Sequence, residues 1–294
     1  MNPFPLALSG ALSEASATII EKRILKDKKL SFKVYTTWGF LAIVIVLLIV
    51  MFFTEIVLDK REIFSISPQA FMLKNVFILG LVILLSILAN LFVFYAMKWE
   101  KITALEPMRL MQPLFAIALA LLLYAPERHT QTSILLASII AAITLVISHI
   151  KRHHLSFNKY SISAILGSLF FALELVISRT ILNYYSPMSF YLIRCAAIFV
   201  ICFMIFKPKI NQMSKRIWQL SFVTSIIWVF YRFLLYSSYV SSGIIFTTLI
   251  FILAPIFIFL FAGIFLKEKI TARNLVAAII ITACVSYAIF SGQA

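Results

Sequence analysis

A chain of 294 residues that is 63% hydrophobic and 13% charged, with a mean hydropathy of +1.04, is not a water-soluble domain. Such domains carry charge at roughly a quarter of their positions. The formal net charge of +15 is spread over many short connections, which suits topology determination and contact with anionic lipid and argues against a nucleic-acid partner.

The apolar residues arrive in blocks of roughly 17 to 24, enough to cross a hydrocarbon core as helices. In chain order they predict spans at 4–20, 35–54, 76–97, 102–125, 134–150, 160–182, 188–206, 217–240, 243–266 and 275–290. The first carries Ser9, Ser13, Glu14 and Ser16. Without a basic n-region, and with Glu14 interrupting it, it does not read as a cleavable signal. Its Ala7, Ala11 and Ala15 form a flat stripe suited to close helix packing. The polar stretches 21–34 and 55–75 read as loops.

The fourth span opens ITALEPMRLMQPLF, with Glu106, Arg109 and Gln112 three apart and so on roughly one helical face. Counted from Ile102 at 1.5 Å per residue, Glu106 and Arg109 lie about 6 and 10 Å along the helix, near its mouth. The stripe reads as one wall of an entry vestibule, or equally as a self-paired bridge. Pro107 and Pro113 each remove a backbone donor and invite a kink.

The fifth span runs into His149, His153 and His154, whose HxxxHH spacing resembles a metal-ligand pair on a helix. Lys151 and Arg152 inside the cluster oppose a cation, and His129 is the one other histidine, so an interfacial basic cluster is the expectation. Cys195, Cys202 and Cys284 fall within apolar blocks and read as small buried hydrophobes. There is no GxSxG, HExxH, CxxC or phosphate-cradling Gly-rich loop. Neither an enzyme nor a cofactor or metal site is expected.

The sequence repeats itself. ALSGALSEASATIIEKRIL (7–25) lies over AILGSLFFALELVISRTIL (164–182) at an offset of 157, with seven of nineteen positions identical, including Gly10 over Gly167. Lys22 lies over Arg179, PERHT (126–130) matches KEKIT (267–271), and Pro113 matches Pro255 with one residue of slippage. Each copy, 1–150 and 151–294, holds five predicted helices. Five is odd, so the second copy enters the membrane from the opposite side. The fold class expected is all-α integral membrane, ten transmembrane helices as two inverted five-helix repeats. Inverted repeats recur among secondary transporters, with substrate sites near the midplane between them.

GIIFTTLIFILAPIFIFLFAGIFLKEKITARNLVAAIIITACVSYAIF (243–290) resembles the end of an EamA repeat of the drug/metabolite transporter superfamily. Its marks are a short turn, a helix with a central Pro, an L-x-E-K/R-hydrophobic-T turn and a small-residue-rich helix. Residues 102–130 are similar to the matching part of the first repeat, and SPMSFYLIRCAAIF (186–199) resembles the family's second helix, with Arg194 on its characteristic Arg. Thr37 departs from that Arg in the first repeat, and Ser13-Glu14-Ala15 stands where many members carry an aromatic. The resemblance implies a permease of the plasma membrane, for a bacterial chain the cytoplasmic (inner) membrane, acting on a small-molecule substrate. A lipid or lipid-carrier flippase of the same fold and a non-transporting membrane subunit are the alternatives.

The odd-numbered loops hold 18 Lys and Arg and the even-numbered loops 4. The positive-inside rule then puts both termini outside, whereas the family resemblance implies both inside. The size of the bias favours outside termini.

Ionisable groups within membrane spans are costly and usually face a bundle interior or cavity. Under the offset of 157, Glu14 falls three residues from the position of Glu174, hence on the same helical face; under the Pro113/Pro255 match, Asn90 falls over Arg232. The expectation is a central cavity lined by helices one, three, four, six, eight and nine. Glu14 and Glu174 would supply negative charge and Arg232 with Asn90 a cationic and amide end, with Tyr95, Trp228, Tyr231, Tyr236, Thr247 and Thr248 on the walls. It would suit a small zwitterionic or amphiphilic solute. The acids are also candidates for carrying a coupling proton, since burial favours a carboxyl's neutral form. The alternative is ion pairing inside the bundle, Glu174 with Arg179 or Arg232. Arg194 reads as structural, in a helix packed outside the cavity, and Arg179 as snorkelling to the interface.

Overall fold

The computed structural model describes residues 3–59, 61–109, 111–123, 132–149 and 158–266, with 276, 279, 280, 283, 284 and 287 beyond them. Most of the tenth predicted span, the PERHT and KEKIT turns, His129, His153 and His154, and the side chains of Glu106 and His149 lie outside the described residues. Among those described, the chain is helical: α1 (Pro3–Leu25), α2 (Phe32–Phe52), α3 (Leu73–Trp99), α4 (Ile102–Arg109), α5 (Met111–Leu123), α6 (Thr132–His149), α7 (Lys159–Ile181), α8 (Pro187–Phe206), α9 (Lys215–Ser242), α10 (Ile244–Phe251) and α11 (Ala254–Leu266). Among the described residues, six stretches are long and apolar enough to cross a membrane: Phe32–Glu55, Leu73–Trp99, Lys159–Ile181, Pro187–Phe206, Lys215–Ser242 and Ile244–Phe265.

Short polar residues set the helix starts by giving orphan backbone N–H groups an acceptor. Ser31 accepts from Lys33 N, Asn158 from Tyr160 N and Ser161 N, and Ser214 from Ile217 N. Ser186 does the same for α8, with Pro187 following at a position that needs no donor. Gly243, at φ 80°, separates α9 from α10 in a conformation that costs an L side chain strain.

Pro255 follows an interruption between α10 and α11, whereas Pro107 lies inside α4, and the residue between α4 and α5 ahead of Pro113, Leu110, lies outside the described residues. A proline clashes with the carbonyl four residues back and offers it no N–H. For Pro255 that residue is Phe251, the last of α10, and for Pro113 it is Arg109. The Ser168 hydroxyl, 2.9 Å from Ala164 O on its own helix, also lies 3.2 Å from the Met108 carbonyl and 3.5 Å from that of Arg109.

The halves interlock by exchange. The most extensive helix contacts are α3 with α7, α1 with α9 and α2 with α8, followed by α5 with α7 and α1 with α11. Under the sequence repeat, the first two pairs and the last two are images of one another. The repeated glycines mark the close approaches. A Cβ on Gly167 would stand 2.6 Å from Val93 Cγ2 and 3.2 Å from its backbone nitrogen; one on Gly10 would stand 2.4 Å from the Phe251 ring.

The repeated cations show the inversion directly. Lys22 is buried and donates to the carbonyls of Met97 and Glu100 at the C-terminal end of α3. Arg179 reaches the Val240 carbonyl, 3.5 Å away near the C-terminal end of α9, and donates to Asn183 Oδ1 at 2.8 Å. Cations satisfying helix C-terminal carbonyls are favourable in both charge and hydrogen bonding. The two clamps sit at opposite ends of the bundle. The end of α1 and α3 is here called the basic face, and that of α7 and α9 the strap face.

The strap is residues 61–71, two 3₁₀ turns (Arg61–Phe64 and Pro68–Phe71) laid over the turn between α7 and α8. Ser67 N donates to Tyr184 O at 2.8 Å and Ser186 N to Ser65 O at 3.0 Å, around a single antiparallel bridge between Ile66 and Tyr185. The Ser186 hydroxyl adds a bond to Ile63 O at 2.8 Å.

Candidate functional site: two chambers in series

Two cavities lie inside the bundle, one after the other along the helix axes. The basic-side chamber, of about 70 Å³, is walled by Glu21, Tyr35, Thr36, Asn90, Phe94, Trp228 and neighbours, with Arg109, Arg194 and Arg232 at its inner end. The second, of about 60 Å³, is lined by Glu14, Arg109, Gln112, Pro113, Tyr231, Thr248 and Pro255 among others. Every shared helix reports the same order. Along α9 the first chamber meets Ser221 to Arg232 and the second Tyr231 to Tyr239; along α1 they meet Glu21 and Glu14. Arg109, the last residue of α4, lines both. Each volume holds a handful of waters and falls short of the roughly 300 Å³ at which metabolite pockets begin. The bundle is constricted here.

The acid of the basic-side chamber is Glu21. It is 6% exposed and accepts from the Trp228 indole N–H at 2.9 Å and the Tyr35 hydroxyl at 3.3 Å, both on Oε1. Glu14, one chamber further in, neighbours Tyr231, with Arg109 and Arg232 within electrostatic range. Glu14 and Glu21 are seven apart, two helical turns on one face.

At the inner end stands a buried ion cluster. Glu174 is fully buried and pairs through Oε1 with Arg194 Nη1; its Oε2 lies 3.7 Å from Arg232 Nη1. The Tyr236 hydroxyl donates to Glu174 Oε1 at 3.2 Å and accepts from Arg232 Nη1 at 3.3 Å. Both guanidiniums lie over aromatic rings, Arg194 5.1 Å from the Tyr191 centroid and Arg232 5.6 Å from that of Tyr236, contacts that offset part of the desolvation of a buried cation.

Residues 3–155 and 158–290 both match the model of the EamA-like transporter family. The chain belongs to that family. As an EamA-like protein it is an integral membrane protein of transporter type, with the two repeats inverted. A crystal structure of another protein, 12% identical in sequence, matches with a TM-score of 0.69 over 97% of this chain and 96% of its own. At that identity the likeness speaks to the fold alone. A comparison with curated proteins returned no match.

The EamA-like chambers take up some of the predicted residues and leave others aside. Asn90, Trp228 and Arg232 line the basic-side chamber, and Glu14, Tyr231 and Thr248 the second. Arg109 lines both chambers and Gln112 the second. Glu174 and Tyr236 lie in the ion cluster, each fully buried and bonded within it. Thr247 is turned back onto its own helix, donating to Gly243 O at 2.6 Å. Tyr95 packs between Phe32 and Tyr160, ring centroids 5.4 and 5.5 Å away, outside both cavities. Helices α2 and α8 supply wall residues that the expected set of helices omitted, and Arg194 on α8 faces the chamber.

Glu21 was missed because the charged run Glu21-Lys22-Arg23 reads as a loop. The helix continues to Leu25 because Lys22 finds carbonyls on α3 and Glu21 finds an indole on α9. The seven-residue spacing from Glu14 was the signal available.

Proposed function

We propose that this chain is a secondary transporter, an exporter or exchanger, moving a small amphiphilic or zwitterionic metabolite by alternating access. In this reading ten spans form two inverted units, 1–150 and 151–294, in the bacterial cytoplasmic membrane. The observation that carries it is the pair of chambers in series, each with an acid on α1, joined at Arg109 and stopped on one side by the ion cluster. Charges on the wall of a cavity inside a bilayer-spanning bundle are expensive and mark solute or ion paths. Acids and guanidiniums on facing walls match a solute bearing both signs, and the aromatic walls match an apolar body. Glu14 and Glu21 are the coupling-proton candidates, Glu21 replacing Glu174 in that role. Glu174 is taken up by its two arginine neighbours.

The test is flux in sealed vesicles carrying the purified full chain and loaded with a cell metabolite extract, read by mass spectrometry with and without a pH gradient. Export of a small charged solute, speeded by the gradient and lost in Glu14→Gln and Glu21→Gln, is the expected result. Normal gradient-driven flux in both variants would remove the carboxylate roles. No solute moved would remove transport itself.

A flippase is the second reading, and one feature favours it. A groove of about 320 Å³ lies between α1 and α11, lined by Ser16, Ile19, Ile20, Arg23, Phe261 and Phe265, with the shape and basic rim a lipid would use. Fluorescent-lipid translocation in the same vesicles separates the two.

A further inference from the structure

At the inner end of the basic-side chamber two guanidiniums share one carboxylate at close range. Arg194 and Arg232 both line it with side chains 4% and 9% exposed, and Glu174 is the acid within 4 Å of both. The sharing is uneven. Glu174 Oε1 takes Arg194 Nη1 and the Tyr236 hydroxyl, while Oε2, 3.7 Å from Arg232, has no hydrogen-bond partner. Arg194 Nε is buried and likewise without a partner. A guanidinium is a planar fork of five donors matched to planar anions. A buried donor left unfilled is costly to the fold and is kept where something else fills it.

The geometry points to an anion subsite: Arg194 and Arg232 together bind the carboxylate of a small organic acid entering from the basic-side chamber. The incoming carboxylate completes a square of two guanidiniums and two carboxylates, with Glu174 as the resident member. The body of the solute then lies along Tyr191, Trp228 and Phe40 on the chamber wall. This deepens the transport reading and rests on it for the solute's passage, but it makes a prediction at equilibrium that needs no flux.

The experiment uses the purified full chain in detergent and three compounds of one shape: benzoate, benzyl alcohol and benzylamine. Thermal shift and tryptophan fluorescence report binding. Benzoate is expected to bind saturably and the neutral and cationic isosteres not to. Glu174→Gln removes the resident competitor and is expected to tighten benzoate by roughly tenfold, a size typical of coupling between sites; Arg232→Gln is expected to weaken it by a similar factor. A cluster that is structural alone would lower the melting temperature in these variants without moving benzoate affinity, and that result overturns the proposal, as does equal binding of all three compounds. Where Arg194→Gln fails to fold, the gain in Glu174→Gln decides. Benzoate binding with no solute flux in vesicles would sink the transport reading and leave this site standing; flux without benzoate binding would do the reverse.

Discussion

The two repeats put different chemistry at equivalent points. Glu174, Arg194, Arg232 and Tyr236 of the second repeat correspond to Ala17, Thr37, Asn90 and Phe94 of the first. The second set is cross-linked by charge and hydrogen bonds. In the first set, Ala17 is buried and uncharged, Thr37 bonds its own helix at 3.0 Å, and Asn90 and Phe94 border a chamber. Duplication supplied a symmetric backbone, and the side chains made it asymmetric. One end of the path is plugged by ions; its image is hollow.

The largest expected effect comes from filling the hollow. Ala17→Glu with Thr37→Arg would build a matching pair on the basic side. If it is worth about 3 kcal/mol, it biases a two-state equilibrium by roughly a hundredfold. Vesicle flux should fall by that order while the protein stays folded by circular dichroism; undiminished flux would break the correspondence. Dismantling the plug comes next. Arg194→Ala leaves Glu174 without its closest partner and should cost about 3 to 5 kcal/mol in thermal or denaturant unfolding, whereas replacing both Glu174 and Arg194 by well-packed apolar residues should recover most of it.

The glycines sharpen the comparison at lower cost. Gly167→Leu pushes against backbone atoms of α3 and should destabilise by about 1 to 3 kcal/mol. Gly80→Ala meets nothing within 4 Å and should stabilise α3 by about 0.5 to 1 kcal/mol. The same unfolding assay reads both. Smallest is Trp228→Phe, which keeps an aromatic ring, though a smaller one, and removes the 2.9 Å bond to Glu21. With the Tyr35 hydroxyl still in place, about 1 kcal/mol should be lost, visible as a small drop in melting temperature that Tyr35→Phe adds to.

Much of the architecture was legible because it is written locally. The predicted spans through 243–266 coincide with described helices, and the interruption ahead of Pro255 follows from the ring's clash with the carbonyl four residues back. The repeat put Gly10 over Gly167, and both stand at close approaches. What stayed illegible was which face looks inward. Glu174 and Arg194 exchange roles relative to the sequence reading because their partners lie 20 to 62 residues away. Tyr95 and Trp228 are both aromatics in apolar helices, and only the neighbouring helices set one against Phe32 and the other on the chamber wall. Glu21 was hidden by two charged neighbours, one of which, Lys22, is buried against carbonyls 75 and 78 residues downstream.

The clamps at Lys22 and Arg179 have a mechanical consequence. Each pins the tail of one rod to the tail of the next, while the tight pairs α3–α7 and α1–α9 cross-brace the four into a truss. A truss transmits load without changing shape. Whatever rocking carries cargo across must then be borne by members outside it, among them the one interrupted midway, α10/α11, where Pro255 has already cut the backbone ladder at the place a joint would have to bend.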